Sequence, residues 1–514
     1  MTARRPLLAV LLAASTAACT VGPNYVRPAA LPASQPAPPA YKEAAGWRPA
    51  QPMLAALDKG TWWATFDDPV LSDLESRVEA TNQNIAQFAA NYRQARALVA
   101  EQRASFFPTL TSSLNFQRTG SLGNGGQTVI SSGGTGVTTG TGTGTTTTGT
   151  GTGTGATGVT TVNSTGNGAI NRFNGSLDAS WAPDLWGRIR RTVEQARAQA
   201  QASAADLANA TLSAQAELAV DYFQMRALDL QAQVLRDTVA AYQRSLRVIN
   251  NQYNAGTVAR SDLISAQTQV LNAQAELVDL GRQRAAYEHA IAVLTGQAPS
   301  AVTLAAGRFP AGVPVAPAGI PSTLLQRRPD IASSERAVAA ANANIGIAIS
   351  AYFPDLTLSG SLGSSANDFF RLFNVDNSIW SLGADAAETL IDFGARRARV
   401  REARAAYDAS VATYRQTVLT AFQGVEDQLA ALRVLQEEEA VRVQASTSAD
   451  RAEQIALNQY AAGTVDYTTV ITAQAQALTA REAVVTVRGE RLVAAVTLIQ
   501  DLGGGWTAAD LPRV

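Results

Sequence analysis

The sequence predicts a mainly α-helical fold with a small β part, built from two similar halves that each contain a long antiparallel coiled-coil hairpin. One short turn occurs twice, as Asn251-Gln-Tyr-Asn-Ala-Gly-Thr-Val258 and Asn458-Gln-Tyr-Ala-Ala-Gly-Thr-Val465, at an offset of 207 residues. The same offset relates Trp186-Gly187 to Phe393-Gly394. A repeat of this length indicates an internal two-fold arrangement in which the halves pack side by side.

Each copy of the turn lies between two long helical stretches. Gly256 and Gly463 can adopt the positive φ that ends a helix, and Thr257 and Thr464 are expected to help start the next one. No Gly or Pro interrupts residues 188–254, so this arm can extend for roughly 100 Å. After each turn, apolar residues alternate steps of three and four, as in a heptad seam. They are Leu263, Ala266, Val270, Ala273, Leu277 and Leu280, then Val470, Ala473, Ala477, Ala480, Val484 and Val487.

The N-terminus has the pattern of a secretory signal peptide. Residues 1–18 begin with a basic pair, continue with an apolar run too short to span a membrane, and end in small residues before Cys19. Cys19 is the only cysteine of the chain, and we expect it to be lipidated, with residues 19–66 as a lipid-anchored extended segment. The alternative is a stray thiol in a discarded leader.

Four segments change the apolar period from 3.5 to 2. Each is about ten residues long, with apolar residues on one side and polar residues on the other, as in a membrane β-barrel with a wet lumen or a half-buried soluble sheet. Because four strands cannot close around a lumen, several chains must contribute to one sheet. The apolar sides carry Leu110, Leu114 and Phe116; Phe173, Leu177 and Trp181; Leu356, Leu358 and Leu362; and Trp380, Leu382 and Ala384.

Between the first two strands lies a Gly/Thr-rich loop, residues 119–168, which has too little apolar surface to fold. We interpret it as an inert insertion outside the membrane, with a binding role as the alternative. The predicted organisation is a first repeat at 67–298, an irregular connection at 299–321, a second repeat at 322–502 and a C-terminal tail at 503–514.

Composition argues against several function classes. The net charge of −1 gives no reason to expect nucleic acid. With one His and one Cys, a catalytic triad, a thiol centre or a His-based zinc site is not expected within one chain. The acidic run Glu437-Glu438-Glu439 is best explained as a solvated helix face, and the Gly/Thr tract lacks the Lys of a phosphate-binding loop. We therefore predict no enzyme activity, no cofactor and no metal.

Several motifs together resemble the TolC-like outer-membrane efflux factors, specifically the lipoprotein branch that serves resistance-nodulation-division pumps. Their order and spacing carry the resemblance over nearly the whole chain apart from the Gly/Thr insertion. Thr16 stands where that lipid box usually has Leu. The motifs are Cys19-Thr-Val-Gly-Pro-Asn-Tyr25, Trp62-Trp63 through Asp68-Pro69, Arg327-Arg328-Pro329-Asp330, Ala351-Tyr352-Phe353-Pro354 and both Tyr-x-Ala-Gly-Thr turns.

The resemblance implies a homotrimer in the outer membrane. Its three sets of four strands would form one twelve-stranded transmembrane β-barrel, and its hairpins would form an α-barrel that crosses the periplasm. The hairpin tips, with Gly256, Thr257, Gly463 and Thr464, would contact a periplasmic adaptor protein. The expected partners are this adaptor, a resistance-nodulation-division pump in the inner membrane, and outer-membrane lipid.

The resemblance also implies a periplasmic gate beyond the tips, formed by Asp262, Tyr460 and Asp466. The second half departs from the family pattern, because Thr469 and Thr472 stand where acids are often found and Asp466 comes a turn earlier. Three Asp262 carboxylates on a trimer axis would repel one another and favour cations. The alternative is that Asp262 is a solvated residue favoured by the helix dipole.

The predicted function is a passive exit duct for drugs or other small toxic solutes, driven by a partner. One alternative keeps the fold and makes the chain the outer-membrane channel of a type I protein secretion system. Another is a periplasmic coiled-coil scaffold without a pore, which leaves the four alternating segments unexplained.

Overall fold

The computed structural model describes residues 20–31, 40–44, 60–120, 169–310, 312–314 and 321–513. The chain divides into two compact units. The helical unit comprises the chain up to Arg103, Trp186–Ala351 and the chain from Phe393, and the sheet unit comprises Ala104–Leu185 and Tyr352–Asp392. The predicted signal peptide, the lipidation candidate Cys19 and nearly all of the Gly/Thr loop lie outside the described residues.

Eight α-helices form the helical unit in the part of the chain that the structure describes. The two long arms α3 and α7 have 67 residues each, and the return arms α4 and α8 have 35 each, so the predicted duplication of the hairpins is confirmed. The helices are α1 Pro69–Thr81, α2 Gln83–Ala104, α3 Arg188–Asn254, α4 Arg260–Leu294, α5 Pro321–Arg327, α6 Pro329–Ser350, α7 Ala395–Ala461 and α8 Tyr467–Asp501.

Heptad packing produces the hairpins, because the predicted seam residues are buried or partly buried. Val270, Ala273 and Leu280 of α4 pack with Leu235 and Tyr242 of α3 in one apolar cluster. The largest core lies where α1, α3, α7 and α8 meet. Its buried aromatic residues are Tyr41, Trp62, Trp63, Phe66, Tyr222 and Phe223.

The start of α1 is fixed by a cap. The Asp68 carboxylate accepts hydrogen bonds from the backbone N–H groups of Val70 and Leu71, at 2.9 and 3.1 Å. Pro69 occupies the first helical position, where its missing N–H costs nothing. Asp68 also accepts a hydrogen bond from the Tyr222 hydroxyl at 2.7 Å, which ties α1 to α3.

The sheet unit contains the four strands that the alternation predicted, and the structure pairs them antiparallel in the order β1-β2-β3-β4. The registers Leu114↔Gly175, Leu177↔Leu362 and Leu362↔Trp380 place the apolar residues on one face. The other face is polar, and Ser113 pairs there with Ser176 at 2.8 Å. The strands are β1 Thr109–Thr119, β2 Ile170–Trp181, β3 Asp355–Ala366 and β4 Ser378–Ala387.

Within the described ranges, no helix combines the length and the apolar character needed to cross a membrane.

Candidate functional site at the hairpin tips

The two tips have the same backbone geometry. Gly256 and Gly463 both have φ 73°, the left-handed conformation that the sequence predicted. The N–H groups of Gly256 and Thr257 donate to the carbonyls of Tyr253 and Gln252, both at 2.9 Å, which is the Schellman arrangement. The duplicated turn is therefore a helix stop that satisfies its own last carbonyls.

The threonine that follows each tip glycine has a different role from the one predicted. The hydroxyls of Thr257 and Thr464 donate to the carbonyls of Gln252 and Gln459, at 2.9 and 3.0 Å. The next helices begin only at Arg260 and Tyr467. The expectation that these threonines start the second arm is therefore wrong: the left-handed glycine turns the chain back, so the hydroxyl meets the end of the first arm.

Tyr460 links the two hairpins just above the tips. Its hydroxyl donates to the side-chain oxygen of Gln252 at 3.1 Å, so a residue of α7 holds a residue of α3. Its ring lies 5.3 Å from the buried ring of Tyr467, measured between centroids. Sequence periodicity missed Tyr467, whose repeat counterpart is the charged Arg260.

Asp262 lies in the first turn of α4 and is half-buried. Its negative charge acts on both of these tyrosines. Burial raises the pKa of Tyr460, and the negative charge of Asp262 raises it further. Burial likewise raises the pKa of Tyr467 to about 12, with smaller contributions from Tyr460, Tyr242 and Asp262. The structure thus places Asp262 close enough to Tyr460 for its charge to act on the hydroxyl.

Asp466 does not occupy the position in the second half that Asp262 occupies in the first. It is the exposed N-cap residue of α8, and its side chain makes no capping hydrogen bond. Its repeat counterpart is Ala259, whereas the counterpart of Asp262 is Thr469. Asp466 therefore does not duplicate the acid of the first half.

Two further polar pairs join α4 to α8 above the tip. The side-chain amide of Gln269 donates to the buried Gln474 at 3.0 Å. One level higher, burial and the neighbouring Glu276 raise the pKa of Glu482 to about 7. Sequence reasoning missed these pairs, although Asp262, Gln269 and Glu276 are spaced by seven residues and so share one face of α4.

The N-terminal segment 20–31 is bound to the helical unit. Arg191 donates from Nη2 to Asn24 Oδ1 at 2.9 Å and from Nε to the Val21 carbonyl at 3.3 Å. The Tyr25 hydroxyl bonds to Glu335 on α6. Thr20, which follows Cys19, packs against Gly187 at the start of α3.

The Arg-Arg-Pro-Asp motif has a structural role in this geometry. Arg328 donates from Nη2 to Asp330 Oδ2 at 2.8 Å and from Nη1 to Asp501 Oδ1 at 2.9 Å. It thereby joins the start of α6 to the end of α8 through charge-assisted hydrogen bonds.

A family model described as outer membrane efflux protein matches residues 74–297 and 320–504, which include both hairpins. The chain belongs to this family. It is 30% identical over 455 residues to the pyoverdine export outer membrane protein OpmQ of Pseudomonas aeruginosa, with 88% of each chain covered. It is 28% identical over 506 residues to the solvent efflux pump outer membrane protein SrpC of Pseudomonas putida, with 98% of each covered.

A solved structure of the outer-membrane channel OprN has the same fold. It matches with a TM-score of 0.79 and 28% identity, covering 95% of this chain and 100% of that one. The family membership confirms the predicted location in the outer membrane and the predicted role as the outer-membrane channel component of an efflux system. Among the described residues, no group of three or more His, Cys, Asp or Glu side chains could hold a metal ion.

Proposed function

We propose that three copies of the chain assemble into one passive conduit, the exit duct of a tripartite pump for small toxic solutes. The hairpin tips dock on a periplasmic adaptor, which joins the conduit to an inner-membrane pump of the resistance-nodulation-division type. Cys19 carries a lipid anchor. The main support for the assembly is a repeated surface. An apolar stripe on α8 packs against the first hairpin of the same chain, and its repeat counterpart on α4 is exposed.

The internal interface provides the template. On α8, Ile471, Leu478 and Val485 are spaced by seven residues, and the first two pack against clusters that contain residues of the first hairpin. Ile471 belongs to the cluster around Ile249, Leu478 to the cluster around Leu235, and Val485 is only 4% exposed. This stripe of α8, half-buried at Ile471 and Leu478 and buried at Val485, therefore contributes to the contact between the halves.

The repeat places the same three residue types on α4. These are Ile264, Leu271 and Val278, each 207 residues earlier, and they are 50%, 63% and 76% exposed. Large apolar side chains exposed in a line along one helix indicate a contact surface. Since its counterpart packs against a first hairpin, the stripe on α4 is suited to pack against the second hairpin of another copy.

The second hairpin has a groove in the corresponding place. It runs between α7 and α8 near the tip, and it contains Ile455, which is largely exposed. Ile249 and Ala266 of the first hairpin pack with Tyr467 and Val470 of α8 in one apolar cluster, and their repeat counterparts, Ala456 and Ala473, line this groove. The groove is lined by Ala452, Ile455, Ala456, Gln459, Thr468, Thr469, Thr472, Ala473 and Gln476.

A pair of glutamines also has repeat counterparts on the surfaces that would meet between copies. Gln269 and Gln474 are hydrogen-bonded within the chain, and their repeat counterparts are Gln476 and Gln267. Gln476 lines the groove, and Gln267 is exposed on α4 near the apolar stripe. A second copy placed by the repeat would therefore form the same Gln–Gln pair between chains.

The proposed cargo is supported by the names of two relatives. OpmQ is named for pyoverdine export and SrpC for solvent efflux, and both are small molecules. A small-solute duct is therefore favoured over export of polypeptides. The tip residues Gly256, Thr257, Gly463 and Thr464 are exposed, which suits contact with an adaptor.

Engineered cysteines test the assembly. In the chain, a Cβ on Gly489 would lie 3.2 Å from the Cβ of Ala227, and the repeat counterparts are Arg282 and Val434. The double variant Arg282→Cys/Val434→Cys should give dimer and trimer bands on a non-reducing gel after mild oxidation of membranes. Each single variant should give neither the trimer band nor larger species. Absence of the crosslink, or a ladder beyond three, would contradict the proposal.

A second assay tests the transport role. Deletion of the gene should sensitise the host to organic solvents or dyes, and the wild-type chain should restore resistance. Unchanged sensitivity together with loss of a secreted polypeptide would favour the secretion alternative.

A further inference from the structure

The first turns of α7 carry a cationic surface that helix formation does not explain. From Ala395 to Arg404 the chain has five arginines and a single glutamate, Glu402. Arginines near a helix N-terminus oppose the helix dipole and lower helix stability, and the first turn has no acidic residue. Arg397, Arg401 and Arg404 are exposed and spaced by four and three, so they share one helix face. We call these three residues the cationic stripe.

An exposed aromatic residue precedes the stripe. Phe393 is 100% exposed, and its φ of 51° is positive. Among the described residues, only Asp67 and Phe393 have positive φ without being glycine. A left-handed conformation costs a bulky residue about 1 kcal/mol. Full exposure of a large ring on a strained backbone points to a contact that covers it.

In the first half, the N-terminal segment contacts the position that corresponds to Phe393. The counterpart of Phe393-Gly394 is Trp186-Gly187, where the Val21 N–H donates to the Trp186 carbonyl at 3.1 Å and Thr20 packs on Gly187. Thr20 directly follows Cys19, so the chain reaches its proposed lipid anchor here. This step rests on the proposed function. By the repeat, Phe393 corresponds to the residue beside the proposed lipid anchor, so we expect Phe393 to lie near lipid as well.

We propose that Phe393 and the cationic stripe bind anionic phospholipid in the leaflet of the outer membrane that faces the periplasm. The ring of Phe393 enters the acyl-chain boundary, and the guanidinium groups donate to the phosphate oxygens of the headgroups. Arginine suits this role because its planar fork matches phosphate. Each basic residue near an anionic surface strengthens binding by about fivefold, and a half-buried aromatic ring adds affinity that does not depend on charge.

Lipid retention tests the site directly. The purified full-length protein in detergent is incubated with equal amounts of phosphatidylglycerol and phosphatidylcholine, purified again, and its bound lipids are quantified by mass spectrometry. The wild type should prefer phosphatidylglycerol by about a hundredfold, from three arginines at about fivefold each. The variant Arg397→Gln/Arg401→Gln/Arg404→Gln should retain both lipids about equally.

Two comparisons make the result specific. A matched control, Arg244→Gln/Arg247→Gln/Arg451→Gln, removes three exposed arginines elsewhere on the long arms and should keep the wild-type preference. Phe393→Gly relieves the strained backbone and removes the ring, so it should lower the retention of both lipids without changing their ratio. The single variant Arg401→Gln serves if the triple variant does not fold, and it should lower the preference about fivefold.

Several outcomes would overturn the inference. A preference for phosphatidylglycerol that survives in the triple variant, or that is lost equally in the control, would do so. So would Phe393→Trp fluorescence that brominated phospholipid does not quench, since the ring would then be covered by a second copy. Failure here with intact Arg282/Val434 crosslinks would leave the trimer proposal standing, and the reverse result would leave the lipid site standing.

Discussion

Glu75 offers the most quantitative test of the helical core. Its side chain on α1 is fully buried, and neither carboxyl oxygen has a hydrogen-bond partner among the described residues. Burial raises the pKa of Glu75 from 4.5 to about 9. The carboxyl is therefore protonated in the folded protein at neutral pH and ionised in the unfolded chain.

The sign of the pH dependence follows from this difference. Because the folded pKa lies above the unfolded one, the folded protein is most stable below the unfolded pKa and loses stability as pH rises toward the folded pKa. The slope is about 1.4 kcal/mol per pH unit, so about 4 kcal/mol is lost between pH 4.5 and pH 7.5. Glu75→Gln has nearly the same shape and cannot ionise, so it should abolish this loss.

Thermal unfolding of the purified protein in detergent, followed by circular dichroism at 222 nm, measures the effect. The Glu75→Gln variant should match the wild type at pH 5 and unfold roughly 5 °C higher at pH 8, since a few kcal/mol shifts a large unit by a few degrees. Glu79→Gln, one turn along the same helix and exposed, should leave the melting temperature unchanged at both pH values. Parallel pH profiles for the wild type and Glu75→Gln would refute a buried neutral carboxyl.

Three further results are expected. Asp229→Ala should destabilise the helical unit by about 3–5 kcal/mol, because it leaves Arg226 and Arg284 without their shared carboxylate; calorimetry would show this, while the exposed control Asp237→Ala should cost little. Asp262→Ala should change the single-channel cation preference in a planar bilayer more than Asp466→Ala does, and equal traces would remove Asp262 from the proposed gate. Tyr460→Phe should raise the frequency of open events in the same bilayer assay, because it removes the hydrogen bond to Gln252; unchanged gating would assign that bond to folding alone.

The architecture was predictable because local apolar periodicity and an internal repeat determine it. Long arms free of Gly and Pro, heptad steps and the two left-handed glycines determine the hairpins. A period of two determines the strands, and the structure confirms all four of them. The repeat also allows each residue of one half to be compared with its counterpart in the other half. This comparison indicates that the exposed stripe on α4 is a contact surface.

Other features depend on tertiary contacts that no local pattern reports. Glu75 looks like an ordinary polar residue of an amphipathic helix until the surrounding core covers it. The role of Thr257 was predicted wrongly, because helix-start propensity competes with a carbonyl that only the folded turn brings near. Arg328 stood out as part of a motif, but its partner Asp501 lies 173 residues away. The lipidation site and the adaptor contacts stay predictions.

The four-stranded sheet has a consequence for how the protein matures. In the described chain, β1 and β4 are the outer strands, so each leaves a row of N–H and C=O groups without a partner strand. Hydrocarbon does not tolerate such rows, and in water they invite wrong pairings between chains. Because the strands alternate in direction, β4 of one copy can join β1 of the next in antiparallel fashion and remove both edges. In the proposed trimer, the strands of each copy must stay out of the hydrocarbon until the ring is complete, so assembly and insertion of the sheet would be one coupled event.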